Sequence, residues 1–127
     1  MTENEVAKMI VDAAFTVHTK LGPGLLEPVY EAILQYELRK RGLHVIHQQP
    51  IPVIYEEVRL KVGLRPDLIV EGKVIIEVKS VEVLAPIHKK QLLTYLRLAD
   101  KRLGLLINFG GVLIKDGIRR VVNRLPE

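Results

Sequence analysis

Asp67, Glu77 and Lys79 lie close together in a stretch otherwise rich in Val, Ile and Leu. Charged side chains inside an apolar strand are costly unless they are exposed, paired or bound to a metal. Over Val74–Lys79 the side chains alternate, so Glu77 and Lys79 share one face with Ile75, roughly 6–7 Å apart. Whether Asp67 joins them depends on the turn near Glu71-Gly72. A two-residue loop pairs Asp67 with Ile76 and sends it to the opposite face. A three-residue loop or a bulge puts it beside Glu77, and Gly72 supplies the left-handed backbone that such a loop needs. The longer loop is the expected one. Two carboxylates and an ammonium on one face are a set that can do chemistry. The carboxylates are hard oxygen ligands for Mg²⁺ or Mn²⁺. Such a cation polarises a phosphodiester, and a nearby lysine steadies the charge that develops.

The elements that must position these residues can be read from the pattern. Val6, Ile10, Ala13, Val17 and Leu21 follow the spacing of an amphipathic helix over Glu3–Leu21, which Gly22-Pro23-Gly24 ends. A second helix is expected from about Pro28 to Arg41, with Ile33, Leu34 and Leu38 as its stripe. Strands are expected at Val45–Gln48, Pro52–Tyr55, Val58–Val62, Asp67–Val70 and Val74–Lys79. A third helix follows from Pro86 to Ala99, with Ile87, Leu92, Leu93 and Leu96 facing inward. The apolar run Leu103–Asn108 suits a strand covered on both faces, and Val112–Ile114 and Ile118–Val122 are read as the last strands. The order is ααβββββαβββ: an α/β chain of the α+β kind, with a mixed sheet and helices on its faces. No linker divides it, so one domain is expected over residues 1–127, a helical segment 3–42 followed by the sheet and its flanking helix at 43–124.

Composition limits the partners. The 127 residues include no Cys, which excludes disulfides, thiolate metal sites and cysteine nucleophiles. There is no Trp and only 5% of residues are aromatic, which argues against a stacking platform for single strands. The net charge is +4, with 7 basic against 8 acidic residues in 1–63 and 12 against 7 in 64–127. The basic excess therefore sits in the half that carries Asp67, Glu77 and Lys79, which suits a polyanionic partner. No stretch approaches the length of a membrane span and the N-terminus lacks the layout of a signal peptide, so a cytoplasmic protein without a membrane partner is expected.

Further residues can serve such a site. Glu27 stands on the first turn of the second helix and Tyr30 one turn later, where it can orient Glu27 or pack. Gln91 and Tyr95 are four apart and share a helix face. His88, one turn before Gln91, is a candidate to face phosphate or product. Lys89, Lys90, Arg97, Arg119 and Arg120, with Arg102 and Arg124, are candidates to grip phosphates.

These residues carry a resemblance. Pro66-Asp67, a nine-residue gap and Glu77-Val78-Lys79 resemble the PD-(D/E)xK nuclease signature. Gly24-Leu25-Leu26-Glu27-Pro28-Val29-Tyr30 resembles the segment that names the GxxExxY family, a branch of that superfamily. Leu21-Gly22-Pro23-Gly24, Asp67-Leu68-Ile69-Val70, Pro86-Ile87-His88, Gln91 to Leu96 and Leu105 to Phe109 are similar to that family too, so the likeness runs from about residue 3 to 124. It implies a restriction-endonuclease-like core. It also implies metal-dependent phosphodiester hydrolysis of nucleic acid, with DNA the expected polymer and Mg²⁺ or Mn²⁺ the expected cofactor. Asp67 and Glu77 would be metal ligands, with the backbone carbonyl of Val78 a third. Glu27 would bind directly or through water, and Lys79 would position the attacking water. Gln91 and Tyr95 resemble the extra motif of RecB-like nucleases, in which the glutamine helps organise the site. The alternative is a non-catalytic nucleic-acid-binding or protein-interaction module on the same fold. With so little chain beyond the core, a homodimer or a protein partner is the expected aid in holding duplex DNA.

Overall fold

The computed structural model describes residues 1–126. Helix α1 (Glu3–Leu21) begins at a capping box: the Thr2 hydroxyl accepts from the Glu5 N–H, and the Glu5 carboxylate accepts from the Thr2 N–H. It ends at Gly22, whose φ of 68° few other residues adopt readily. Helix α2 (Glu27–Lys40) starts with Pro28 in its first turn. Its Tyr30, Leu34 and Leu38 are buried beside Val6, Ile10, Ala13, Ala14 and Val17 of α1, each fully buried large side chain contributing about 1.5–3 kcal/mol.

Seven strands follow: β1 (Val45–His47), β2 (Ile51–Tyr55), β3 (Val58–Leu64), β4 (Leu68–Val70), β5 (Val74–Lys79), β6 (Leu103–Asn108) and β7 (Ile118–Val122). Helix α3 (Pro86–Ala99) joins β5 to β6. The main sheet has the order β1-β4-β5-β6-β7. Only β5 and β6 are parallel, as their helical crossover requires. One face, carrying Leu68, Val70, Val74, Ile76, Val78, Leu103, Leu105 and Ile107, packs on α1 and α2. The other carries Ile69, Ile75, Leu106 and Val121 against Leu92 and Leu96 of α3. Helix α3 sits close because of Gly104: a Cβ there would lie 2.9 Å from Leu92 side-chain atoms.

Six features differ from the sequence reading. Strands β2 and β3 form a hairpin of their own instead of joining the main sheet. β1 stops at His47, because Gln48 turns to a φ of 54°, and β4 starts at Leu68 with Asp67 just before it. β3 continues to Leu64. Val112–Ile114 is not a strand: Val112 and Leu113 are exposed, and Ile114 begins a 3₁₀ turn, Ile114–Gly117. Ile87 and Leu21 are exposed, one in the first turn of α3 and the other at the last residue of α1.

Candidate active site

The loop between β4 and β5 decides the site. Val70 pairs with Val74, so Glu71, Gly72 and Lys73 form a three-residue connection. Glu71 and Gly72 have φ of 54° and 66°, and the Lys73 N–H donates to the Val70 carbonyl at 3.0 Å. The register Leu68↔Ile76 then continues to bring Asp67 opposite Glu77, on the α3 face of the sheet. The Asp67 N–H donates to Glu77 Oε2 at 3.1 Å, and the Val78 N–H donates to Asp67 Oδ2 at 2.8 Å. Glu77 is only 9% exposed. Burial, and then the negative charge of Asp67, push its carboxyl up to about 9. Two adjoining carboxylates in a buried place cannot both hold a charge cheaply, so Glu77 keeps its proton at neutral pH while no cation is present.

Lys79, two residues along the same face, is half-buried, and its charge acts against the rise at Glu77. Tyr95 packs at the edge of the α3 cluster. Its hydroxyl is pushed up by burial and then by the charges of Glu77 and Asp67. Gln91 Nε2 donates to the Tyr95 hydroxyl at 3.4 Å. Asp67, Glu77 and Lys79 are thus brought to one face of the sheet, and Tyr95 and Gln91 stand on the helix that packs on that face.

A second carboxylate system adjoins it, and the sequence reading missed it. Gln48 Nε2 donates both to Glu31 Oε1 at 2.7 Å and to Asp67 Oδ1 at 3.2 Å. The Gln48 N–H donates to the Asp67 carbonyl at 3.0 Å, and His47 Nε2 lies 2.8 Å from Glu31 Oε1. Glu31 is buried, and burial raises its carboxyl while the Gln48 hydrogen bond opposes that. The helix carboxylate joined to Asp67 is therefore Glu31. Glu27 stands one turn earlier, half-exposed, with no hydrogen bond or ion pair among the described residues. A signal for Glu31 exists in the sequence: its spacing to Leu34 and Leu38 puts it on the buried stripe of α2.

Tyr30 packs and anchors, and makes no hydrogen bond to Glu27. Its ring stacks on Phe109 with centroids 4.6 Å apart, and its hydroxyl donates to the Gly22 carbonyl at 2.5 Å and accepts from the Leu25 N–H at 3.2 Å. The Gly22–Leu25 loop is thereby fixed, and the Ser80 hydroxyl, next after Lys79, donates to the Leu25 carbonyl at 2.6 Å. The start of α2 is in this way tied to the end of β5. His88 has a local partner: its Nδ1 accepts from the Ala85 N–H at 3.1 Å, capping α3.

The basic residues divide by face. Arg119 pairs with Leu106, which pairs with Glu77, so it lies on the same face two strands away, roughly 9–10 Å by strand spacing. Arg120 points to the α1 face and donates to Asn4 Oδ1 at 2.5 Å. Lys90 and Arg97, seven apart, share the outer face of α3, whereas Lys89 turns toward β7.

Among the described residues no three His, Asp or Glu side chains close around one point. Asp67 and Glu77 nonetheless fit a small hard cation. Mg²⁺ is commonly held by one or two carboxylates and keeps several waters, and one cation beside the pair would offset the burial and the Asp67 charge that raise the Glu77 carboxyl.

The family model of the PD-(D/E)XK nuclease superfamily matches residues 4–121. The chain belongs to the PD-(D/E)XK nuclease superfamily. No curated protein and no solved structure matches it. As a PD-(D/E)XK chain it has a five-stranded mixed sheet and three helices, consistent with a restriction-endonuclease-like core. No helix is long and apolar enough to cross a membrane among the described residues.

Proposed function

We propose that this PD-(D/E)XK chain is a divalent-metal-dependent nuclease that hydrolyses phosphodiester bonds in nucleic acid, with DNA as its polymer and Mg²⁺ or Mn²⁺ as its cofactor. The reading is carried by one observation: the buried Glu77 carboxyl lies against Asp67, with Lys79 two residues away on the same face. The GxxExxY branch, with its segment Gly24 to Tyr30, and a cytoplasmic setting belong to the same reading.

Asp67, Glu77 and the Val78 carbonyl would hold the cation, with Glu27 or Glu31 adding a ligand directly or through water. When bound, the cation supplies Lewis-acid polarisation of a phosphoryl oxygen. The chain does the rest. The Val78 N–H and Gln48 fix the Asp67 carboxylate in one orientation. Lys79 donates to the attacking water and to the charge that grows on the phosphoryl oxygens. Tyr95, held by Gln91, borders the same space and orients the phosphate. Arg119, Lys90, Arg97 and Lys89 offer contacts to neighbouring phosphates.

The test is cleavage of a panel of single-stranded, duplex, branched and RNA substrates, with Mg²⁺ or Mn²⁺ and with chelator. The reading expects cleavage with metal and none with chelator. Binding without cleavage under every metal condition would move the protein to the non-catalytic module class.

A further inference from the structure

Beyond the carboxyl ends of the parallel strands β5 and β6 there is a cavity of about 620 Å³, a volume in the range of small-molecule pockets. One wall is the connection from β5 to α3, which follows Lys79; the other is the chain following β6. Val83, Leu84, Leu106, Val112 and Leu113 supply apolar lining, and Val83 and Val112 are about 80% exposed around it. Lys89 and Arg119 stand in the lining as cations, Glu82 and Asp116 as carboxylates.

The walls of the cavity are fixed to one another by built-in contacts. The buried Asn108, opposite Lys79 in the register, ties both walls together. Its Oδ1 accepts from the Val81 and Gly110 N–H groups, each at 3.0 Å, and its Nδ2 donates to the Val81 carbonyl at 2.9 Å. Gly110 allows the walls to approach: a Cβ there would lie 2.3 Å from the Val81 carbonyl oxygen. His18 Nε2 lies 2.9 Å from the Gly111 carbonyl oxygen, steadying the turn that presents Val112.

We propose that this cavity binds one unpaired nucleotide of the substrate strand, displaced from the scissile phosphate across the β5–α3 connection. The proposal rests on the nucleic-acid reading of the neighbouring carboxylate site. The base lies between Val83 and Val112, apolar side chains being able to hold a base that has left its stack. Lys89 and Arg119 meet its phosphates, and Glu82 or Asp116 accepts from an exocyclic amine. The cavity sits on the same sheet face as Glu77, with Arg119 in the same cross-strand row, so one strand can occupy both places. The consequence, which rests on apolar walls and not on the aromatic stacking that the composition argues against, is a preference for single-stranded, gapped or frayed nucleic acid over blunt duplex.

The experiment measures fluorescence anisotropy of a labelled single-stranded 12-mer, and of the same 12-mer as a blunt duplex, on the full chain in chelator. Binding is thus read apart from cleavage. The double variant Val83→Gln/Val112→Gln removes the apolar walls without adding charge, at exposed positions that leave folding intact. The expected result is single-strand binding weaker by about tenfold, the scale of losing one buried apolar contact, and duplex binding changed by less than about twofold. Arg119→Gln is the second variant and should weaken single-strand binding as well. Unchanged single-strand binding in the double variant, or an equal loss for duplex, overturns the cavity proposal even if the protein cleaves DNA. The selective loss in a protein that cleaves nothing supports the cavity and counts against the nuclease reading.

Discussion

Asp67 and Glu77 face one another across the β4–β5 pair, and the backbone N–H of Asp67 donates to the Glu77 carboxylate at 3.1 Å. The contact exists because the loop Glu71-Gly72-Lys73 has three residues. One residue fewer would send Asp67 to the α1–α2 face and dissolve the site.

The pair makes the metal-free protein sensitive to pH. The Glu77 carboxyl is raised to about 9 from an ordinary value of 4.5, so the folded state holds a proton that the unfolded state releases. Its stabilising contribution is complete below about pH 4.5 and is lost as pH rises toward 9. Denaturant unfolding in chelator should give a midpoint that falls across this window. Glu77→Gln should flatten the slope and be more stable than the parent at pH 8. An equally steep slope in the variant would show that Glu77 is not its source.

Gln48 should matter as much as a direct ligand does. It bridges Glu31 and Asp67, and its loss leaves both carboxylates short of a donor. Groups that orient metal ligands typically cost 10–100-fold in metal affinity or activity when removed. Gln48→Leu is expected to weaken Mn²⁺ binding by at least tenfold in a calorimetric titration. Glu31→Gln should weaken it more than Glu27→Gln, because Glu31 is the one connected to Asp67.

Tyr30 is expected to act on stability. Tyr30→Phe keeps the stack on Phe109 but removes the hydroxyl from Gly22 and Leu25. The loss should be about 1–3 kcal/mol in denaturant unfolding. Tyr30→Leu loses the stack as well and should cost more.

Arg119 and Arg120 are neighbours in sequence on opposite faces. Arg119→Glu should weaken nucleic-acid binding and lower the slope of log affinity against log salt by about one. Arg120→Glu should leave that slope unchanged, since its side chain lies on the far face of the sheet, beside Asn4. Equal effects from the two would remove this division of the basic surface.

Much of this arrangement could be read from the residues. Strand alternation put Glu77 and Lys79 on one face, and Gly72 signalled the irregular loop that brought Asp67 to them. Glu31 escaped because a glutamate in a helix reads as solvated. Its spacing to Leu34 and Leu38 marks the buried stripe, but its partners His47 and Gln48 come from the end of β1 and the residue after it, a contact between distant segments that no local pattern records. Val112–Ile114 looked like a strand by β-branched content. Asn108 and the close approaches at Gly110 and Gly117 instead fold that segment over the end of β6, where no strand is available to pair with it.

The most direct test of the central claim is metal-dependent cleavage by the parent chain beside purified Lys79→Ala and Asp67→Ala. Cleavage of a labelled DNA with Mg²⁺ or Mn²⁺ should be seen for the parent and fall at least a hundredfold in each variant. Cleavage that persists at parental rate in both variants would contradict the assignment of Asp67, Glu77 and Lys79 as the active site.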